Sequence, residues 1–342
     1  MKPSFLPRLV NEPFSDPGLF ILFKYRRRAL MFDLGDIRTL SAREILKLTH
    51  VFVTHSHMDH FIGFDTLLRT SLGREKTLGL FGPSGFFKNI DGKLAGYTWN
   101  LVDEFQAELK LEVSEVLPHG IITRKYNCRD KFILQDAEIN KPFAGVLLEE
   151  PSFSIRAEIL DHRIPCLALS LQENMHINIV KERLKDLEIP VGPWINVFKR
   201  KIYEKSDPEG KINISWELEG RHIQRSFKLA DLIEMIAVIT SGQKFTYITD
   251  AIATPDNCRR IIRLAKDSDI IFIEAPFMDK DKKIATKKFH LTAREAGELA
   301  AMAGAKSLRL FHFSRRYHGN GHKLEKEARE AYLSYLGGGK GV

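Results

Sequence analysis

The sequence is poor in cysteine and contains no long apolar run. Its three cysteines, Cys128, Cys166 and Cys258, are widely separated among 342 residues, so they make no disulfide framework or thiol motif. This sparse usage predicts a reducing, cytoplasmic location. No stretch approaches the roughly 18 consecutive apolar residues that a membrane-spanning helix needs, and the first residues lack the apolar segment of a signal peptide. We therefore expect neither a membrane protein nor a disulfide-stabilised secreted fold.

Acidic residues are too few to balance the basic ones. The chain has 52 Lys and Arg against 44 Asp and Glu, a formal net charge of +8. Such an excess favours an anionic partner, and RNA fits this description. Scattered basic residues also serve solubility, so charge supports nucleic-acid binding without establishing it. The apolar content of 44% is ordinary for a globular protein, and the length predicts one large domain or a domain with an insertion.

The last third of the chain alternates predicted strands with predicted helices. Each of three strands ends at a polar residue: 245–249 at Asp250, 270–273 at Glu274, and 308–311 at His312. Thr254 before Pro255 is a helix-starting signal, and Thr292 with Glu295 forms a predicted capping box. This alternation predicts an α/β sheet, in which functional sites gather at the carboxyl ends of the strands.

A segment of different character interrupts this pattern. Between Lys181 and Lys205, seven Lys and Arg stand against four Asp and Glu, and Pro190 and Pro193 break the helical spacing there. We expect a basic inserted arm, whereas residues 120–155 lack strong periodicity and are predicted to contain strands or a loop. The predicted boundaries are 1–175 and 230–325 for two halves of one domain, 176–229 for the arm, and 326–342 for a C-terminal tail.

Residues 55–60 place four potential metal ligands within six positions, directly after the apolar run 51–53. His55 and His57 are two residues apart, so in an extended backbone they project to the same side. Asp59 and His60 follow where the chain should turn, which lets them face a second ion. Imidazole and carboxylate ligands together suit Zn²⁺, with Mn²⁺ or Fe also possible. The alternative is a histidine-rich surface loop.

Three further polar residues at predicted strand ends, His162, Asp250 and His312, raise this set to seven. Seven ligands divide into two sites that share a bridging carboxylate, an arrangement in which two ions lie roughly 3.5–4 Å apart. Taken singly, Asp250 could cap a helix and His312 could be a core residue, and His119 is a rival to His162. The remaining histidines assigned to the surface are His176, His222, His318 and His322.

The order of these residues resembles the metallo-β-lactamase superfamily and, within it, the ribonuclease Z family of tRNA 3′-end endonucleases. His55-Ser56-His57-Met58-Asp59-His60 matches the superfamily signature, and the segments around the other three ligands resemble its later ligand segments. Phe289-His290-Leu291-Thr292 resembles that family's His-Ser-Thr loop, and the arm with Pro190-Val191-Gly192-Pro193 resembles its tRNA-gripping arm. The resemblance implies an αββα sandwich, an α/β fold, carrying an inserted basic arm.

The resemblance also implies a role for each residue. Asp59 would accept a proton from the attacking water, and His290 would protonate the leaving 3′-oxygen. Arg316 would bind the scissile phosphate, although a surface salt bridge explains it equally well. Asp33 and Glu274 would orient ligand histidines. One zinc ion would be held by His55, His57 and His162, and the other by Asp59, His60 and His312. Asp250 would bridge the two ions.

By the same resemblance the protein is expected to be a dinuclear zinc phosphodiesterase that processes tRNA precursors, as a homodimer. Some motifs depart from the family pattern. The chain reads Phe32-Asp33-Leu34-Gly35-Asp36 where family members usually carry Phe-Asp-Cys-Gly-Glu. Such changes leave the metal ligands intact and bear on the substrate. Two alternatives therefore stay open: a hydrolase of a small phosphodiester, thioester or lactone, and a non-catalytic RNA-binding scaffold.

Overall fold

The computed structural model describes residues 3–134 and 139–338. Contacts within the chain divide it into two compact units. The larger unit comprises Phe5–Leu147, Ile155–Leu171 and the chain from Lys244 onward, and the smaller comprises Leu148–Ser154 and Gln172–Gln243 together with Ser4. Among the described residues, no helix combines the length and the apolar character needed to cross a membrane.

The regular elements are numbered in chain order. The strands are β1 (Phe5–Leu9), β2 (Leu19–Phe23), β3 (Ala29–Phe32), β4 (Leu48–Phe52), β5 (Lys76–Pro83), β6 (Leu109–Leu117), β7 (Gly120–Asn127), β8 (Ile139–Pro142), β9 (Val146–Glu150), β10 (Phe153–Asp161), β11 (Pro165–Glu173), β12 (His176–Ile179), β13 (Lys211–Leu218), β14 (Arg221–Lys228), β15 (Ala237–Thr240), β16 (Lys244–Ile248), β17 (Ile270–Glu274) and β18 (Leu308–Phe311). The helices are α1 (Ala42–Ile45), α2 (Met58–Phe61), α3 (Phe64–Ser71), α4 (Phe86–Ala95), α5 (Lys181–Asp186), α6 (Trp194–Tyr203), α7 (Leu229–Ile236), α8 (Pro255–Ala265), α9 (Lys282–Lys288), α10 (Ala293–Met302) and α11 (Gly321–Gly338).

Two sheets build the larger unit. In the first, strands β1 to β8 lie in chain order, with β3 to β6 mutually parallel and the flanking strands antiparallel. The second has the order β18-β17-β16-β11-β10-β9, with β16, β17 and β18 parallel. Strands β2 and β3 form an antiparallel hairpin. Residues 120–155 supply β7, β8 and β9, so they belong to both sheets.

Alternating side chains place the two sheets between layers of helices. On β3, Met31 packs into a core cluster shared with α3 and α4, whereas its neighbour Phe32 faces the other way, toward Tyr247 of β16 at a ring-centroid distance of 6.0 Å. On the second sheet, α8 and α10 cover the opposite face in a cluster containing Ile261 and Leu299. The helix, sheet, sheet, helix order confirms the predicted αββα sandwich.

The smaller unit has its own apolar core. Phe198 of α6, Ile214 of β13 and Leu232 of α7 are fully buried in one cluster. The paired strands β13 and β14 and helix α6 lie inside the segment that the sequence marks only as a basic arm. Trp194 packs on Phe198 of its own helix, with ring centroids 6.2 Å apart. The arm boundary of 176–229 stays a prediction, since the compact unit extends over Gln172–Gln243.

The C-terminal segment differs from the expected tail. Residues 326–338 continue helix α11, because Leu324, Ala328 and Ala331 form a buried stripe on one of its faces. The rest of the predicted tail, 339–342, lies outside the described residues. Helix α11 packs closely on α10, where a Cβ added at Gly297 would lie 2.1 Å from the carbonyl oxygen of Ala328.

This close approach predicts opposite effects of the same substitution at two helical glycines. Gly297→Ala should lower the free energy of unfolding by about 1–3 kcal/mol, because the added methyl group must push backbone apart. Gly92→Ala in α4 meets no atom within 4 Å and should raise it by roughly 0.5–1 kcal/mol, because alanine is the better helix former. Urea denaturation of both variants measures this; a neutral Gly297→Ala would contradict the packing described for α10 and α11.

Candidate metal centre

All of the predicted metal ligands lie in the larger unit, at the carboxyl ends of its strands. The chain leaving β4 carries His55 and His57, and α2 begins at Met58, so Asp59 and His60 lie in its first turn. From the second sheet, His162 follows β10, Asp250 follows β16 and His312 follows β18. Because parallel strands end at a common edge, these residues converge.

The first group of ligands surrounds one oxygen of Asp250. Nε2 of His55 lies 3.5 Å and Nε2 of His162 lies 3.3 Å from its Oδ2. Nε2 of His55 also lies 2.9 Å from Nδ1 of His57. The other ring nitrogen of His162, Nδ1, donates a hydrogen bond to the carbonyl of Phe289 at 2.7 Å, which fixes the orientation of the ring. One ligand atom from each of these four side chains fits within a span of 4.8 Å, as a common ion requires.

The second group surrounds the other oxygen of Asp250. Nε2 of His60 lies 3.5 Å and Nδ1 of His312 lies 3.1 Å from its Oδ1. Oδ2 of Asp59 lies 3.6 Å from Nε2 of His60 and 3.3 Å from Nε2 of His312. The Asp250 carboxylate therefore presents one oxygen to each group, the geometry of a bridging ligand.

The chemistry of His60 shows that this set fits a divalent cation. Its side chain is fully buried, its Nδ1 donates to Oδ2 of Asp33 at 2.9 Å, and its Nε2 has no hydrogen-bond partner among the described residues. A buried polar atom without a partner is costly, and an imidazole nitrogen placed beside two carboxylates is well positioned to bind a metal ion with them. The structure thus supports a divalent metal site here.

The Asp33 carboxylate orients candidate ligands of the first sheet through the hydrogen bonds that it accepts. It is fully buried and accepts the backbone N–H of Thr54 at 2.7 Å on Oδ1. Its Oδ2 accepts His60 Nδ1 at 2.9 Å, the Thr54 hydroxyl at 3.0 Å and the Tyr247 hydroxyl at 3.0 Å. The Thr54 hydroxyl in turn lies 3.1 Å from Nδ1 of His55. Thr54 and Tyr247 were not expected from the sequence, and only the proximity of Thr54 to the signature could have indicated it.

Glu274 does the same for the second sheet. It is fully buried, and its Oε1 accepts the backbone N–H groups of Ala251 and Leu291 at 3.0 and 3.1 Å. Its Oε2 lies 2.8 Å from Nδ1 of His290 and 3.3 Å from Nδ1 of His312. A carboxylate placed in this way fixes the ring orientation and tautomer of both histidines.

Burial and charge shift the pKa values of these groups in opposite directions. Burial lowers the pKa of His55 to about 2, with the neighbouring His60 adding to the effect, so its imidazole is neutral and available as a ligand. Burial alone would raise the pKa of Asp59, but His312 and His60 more than reverse this, and the carboxylate stays ionised. Burial alone would lower the pKa of His290, but Glu274 raises it above its usual value.

Some predicted residues lie elsewhere. The guanidinium of Arg316 is half exposed and its Nη1 lies 3.6 Å from Asp281 Oδ1, so its phosphate role stays a prediction. His119 is exposed in the turn between β6 and β7 and belongs to none of the groups of candidate metal ligands among the described residues. The assignment of His176 to the surface is wrong. It is buried in the smaller unit, with Nδ1 3.4 Å from the buried carboxylate of Glu173, which offsets the cost of burying the ring.

A cavity of about 570 Å³ opens onto this constellation. Some of the residues that line it are ligand and acid–base candidates, and the others are basic or apolar residues that the sequence did not single out. The first set is His57, Asp59, His162, Asp250, His290 and His312, and the second is Arg163, Ile164, Lys287 and Lys288.

The fold and the site together define a metal-dependent hydrolase of the metallo-β-lactamase fold. A family model described as a beta-lactamase superfamily domain matches residues 231–313. The metallo-beta-lactamase fold protein YhfI from Bacillus subtilis superimposes with a TM-score of 0.51 at 15% identity, covering 96% of this chain and 92% of that one. The short form of human tRNase Z gives a TM-score of 0.50 at 17% identity, covering 92% and 93%.

Within this class the curated relatives are ribonucleases Z. Ribonuclease Z of Deinococcus radiodurans is 29% identical over 315 residues, which is 90% of each chain. Ribonuclease Z of Lactobacillus helveticus is 28% identical over 313 residues, 88% of this chain and 82% of that one. The resemblance to ribonuclease Z predicted from the sequence motifs is confirmed.

The Asp33 network predicts that a change at a residue that does not line the cavity weakens metal binding. Asp33→Asn turns one acceptor oxygen into an N–H₂ donor that faces buried donors, so His60 loses its orientation. We expect metal affinity to fall roughly 10–100-fold. Chelator competition measures this, and Tyr247→Phe is the matched control, since it removes only one of the four donors and should cost about 1 kcal/mol of stability. Wild-type metal affinity in Asp33→Asn would contradict the role given to Asp33.

Proposed function

We propose that the protein is a metal-dependent endoribonuclease that cleaves tRNA precursors at the 3′ end. The observation that carries this proposal is the split of the Asp250 carboxylate between two ligand groups, beside a cavity that also exposes Asp59 and His290. Curated ribonucleases Z align with 90% of the chain or nearly so, which supports RNA as the substrate.

The proposed cofactor is a pair of divalent ions, with zinc favoured by the abundance of imidazole ligands. One ion would be held by His55, His57 and His162, the other by Asp59, His60 and His312, and Asp250 would bridge them. Divalent ions in such a site supply Lewis-acid polarisation of the phosphodiester and lower the pKa of water. Proton transfer is assigned to side chains of the protein.

Asp59 and His290 lie on the cavity wall and have complementary acid–base properties. Asp59 stays ionised and half exposed, so it can accept the proton of the attacking water. His290 is held by Glu274 through Nδ1, so Nε2 is left to donate a proton to the departing 3′-oxygen. Its raised pKa favours the protonated form that a general acid needs at the start of the reaction.

Further proposals concern partners and location. The smaller unit carries the basic segment 181–205, which makes it the candidate for a tRNA-binding surface outside the cavity. A homodimer and a cytoplasmic location are proposed from the ribonuclease Z resemblance and from the sparse cysteines, all three of which are free in the described residues.

Asp59→Ala should abolish turnover while the fold persists. We expect metal-replete wild-type protein to cut a precursor tRNA next to the discriminator base and to hydrolyse bis(p-nitrophenyl) phosphate. Asp59→Ala should reduce both rates at least about 10²-fold, since it removes a base and a ligand. Asp256→Ala, an exposed aspartate of α8, is the control with unchanged rates. Full activity of Asp59→Ala on both substrates would refute the proposed centre, and hydrolysis of the small ester alone would refute tRNA as the substrate.

His290→Ala separates proton donation from metal binding. The 3′-oxygen of RNA is a poor leaving group that needs a proton, whereas p-nitrophenolate leaves without one. We expect kcat on precursor tRNA to fall roughly 10²–10⁴-fold, with bis(p-nitrophenyl) phosphate turnover and metal content little changed. An equal loss on both substrates, or loss of bound metal, would show that His290 is not the general acid.

A further inference from the structure

Three cations that line the cavity have no part in the metal-binding and acid–base roles proposed for its other residues. They are Arg163, Lys287 and Lys288, and we call them the cationic rim. Within residues 3–134 and 139–338, no carboxylate forms an ion pair with any of the three side chains. Other exposed cations do pair with an acid, as Arg263 does with Glu158 at 2.7 Å. The rim thus holds three uncompensated charges in the same cavity as the candidate metal ligands.

Contacts between the turn after β10 and the end of helix α9 bring the rim residues together. Nη2 of Arg163 donates to the carbonyl of Lys287 at 2.9 Å, and its guanidinium lies 4.6 Å from the centre of the Phe289 ring. The carbonyl of Phe289 also accepts Nδ1 of His162 at 2.7 Å. Each segment therefore places a rim cation close in sequence to a residue of the centre: Arg163 follows His162, and Lys288 lies two residues before His290.

The two contacting residues share a left-handed backbone conformation. Arg163 and Phe289 both have φ of +61°, which costs a residue with a side chain about 1 kcal/mol or more. Phe289 adopts it as the residue that ends helix α9, a common geometry for a helix C-terminus. Because the guanidinium of Arg163 lies over its ring, the turn after His162 is held against the end of α9.

We propose that the cationic rim binds the phosphates of a polynucleotide that flank the scissile phosphodiester. This inference rests on the proposed function and specifies how its substrate is positioned. One N–H group of the Arg163 guanidinium donates to the protein, and its remaining N–H groups are available to a phosphate. The two lysines add positive charge beside it. A small phosphodiester carries no flanking phosphate, so the rim distinguishes RNA from a small ester that reacts at the same centre.

The test compares Lys287→Gln/Lys288→Gln with Lys283→Gln, an exposed lysine on the same helix α9 that does not line the cavity. In the double variant, KM for precursor tRNA should rise roughly tenfold, and the slope of log affinity against log salt should become shallower by about 1.4–1.8. Turnover of bis(p-nitrophenyl) phosphate should stay within about twofold, and Lys283→Gln should change nothing. Unchanged tRNA KM and salt slope would overturn the proposal, as would equal losses on both substrates.

Binding measurements keep this test separate from the test of the proposed function. Metal-loaded His290→Ala protein, with and without the double lysine substitution, is titrated against fluorescent precursor tRNA at several salt concentrations. If wild-type protein fails to cut precursor tRNA but the lysine substitutions make its salt slope shallower, the proposed function is refuted and phosphate binding by the rim is supported. If the substitutions leave the salt slope unaltered, only phosphate binding by the rim is refuted. If the protein does not bind precursor tRNA at all, both proposals are refuted.

Discussion

The structure of the centre depends on one buried carboxylate, that of Asp250. It is almost fully buried, and the imidazoles of His55, His162, His60 and His312 lie within 3.1–3.5 Å of its two oxygens. Burial would raise its pKa, but the surrounding histidines hold it well below the usual value. An ionised carboxylate in such a place is tolerable only when positive charge lies on both of its sides. The proposed pair of divalent cations would supply that charge more fully than imidazoles do.

Two other buried carboxylates hold the imidazoles around Asp250, one from each sheet. Asp33 at the end of β3 fixes His60, and Glu274 at the end of β17 fixes His290 and His312. Each of them also accepts backbone N–H groups, which ties ring orientation to the strand ends themselves. The positive φ angles of Asp33, Asp250 and His312, at 61°, 39° and 60°, are the local cost of turning side chains inward at this edge.

The sequence was sufficient for those parts of the centre that local pattern specifies. The ligand signature, the capping box at Thr292 and the strand ends at Asp250 and His312 all follow from short-range rules, and the structure places them as expected. Tyr247 could not be predicted, because its hydroxyl meets Asp33 across 214 residues of chain and no local signal marks it. The surface assignment of His176 is wrong for a different reason: its partner Glu173 lies only three residues away, but no local pattern shows that this polar pair is buried.

The rim shows why phosphate-binding residues are harder to predict than metal ligands. A ligand histidine lies in a motif whose spacing is constrained by the ion, whereas a cation that meets a flexible polyanion can occupy many positions. Arg316 lies in a segment that matches a family pattern, yet its guanidinium faces Asp281. No pattern marks Arg163 or Lys287 as a phosphate ligand, and they meet at the cavity because the turn after β10 contacts the end of α9. The cavity lining therefore combines an anionic, imidazole-rich set of residues suited to cations with a cationic set suited to phosphates. A phosphodiester whose neighbouring nucleotides also carry phosphates is the substrate that matches both sets at once.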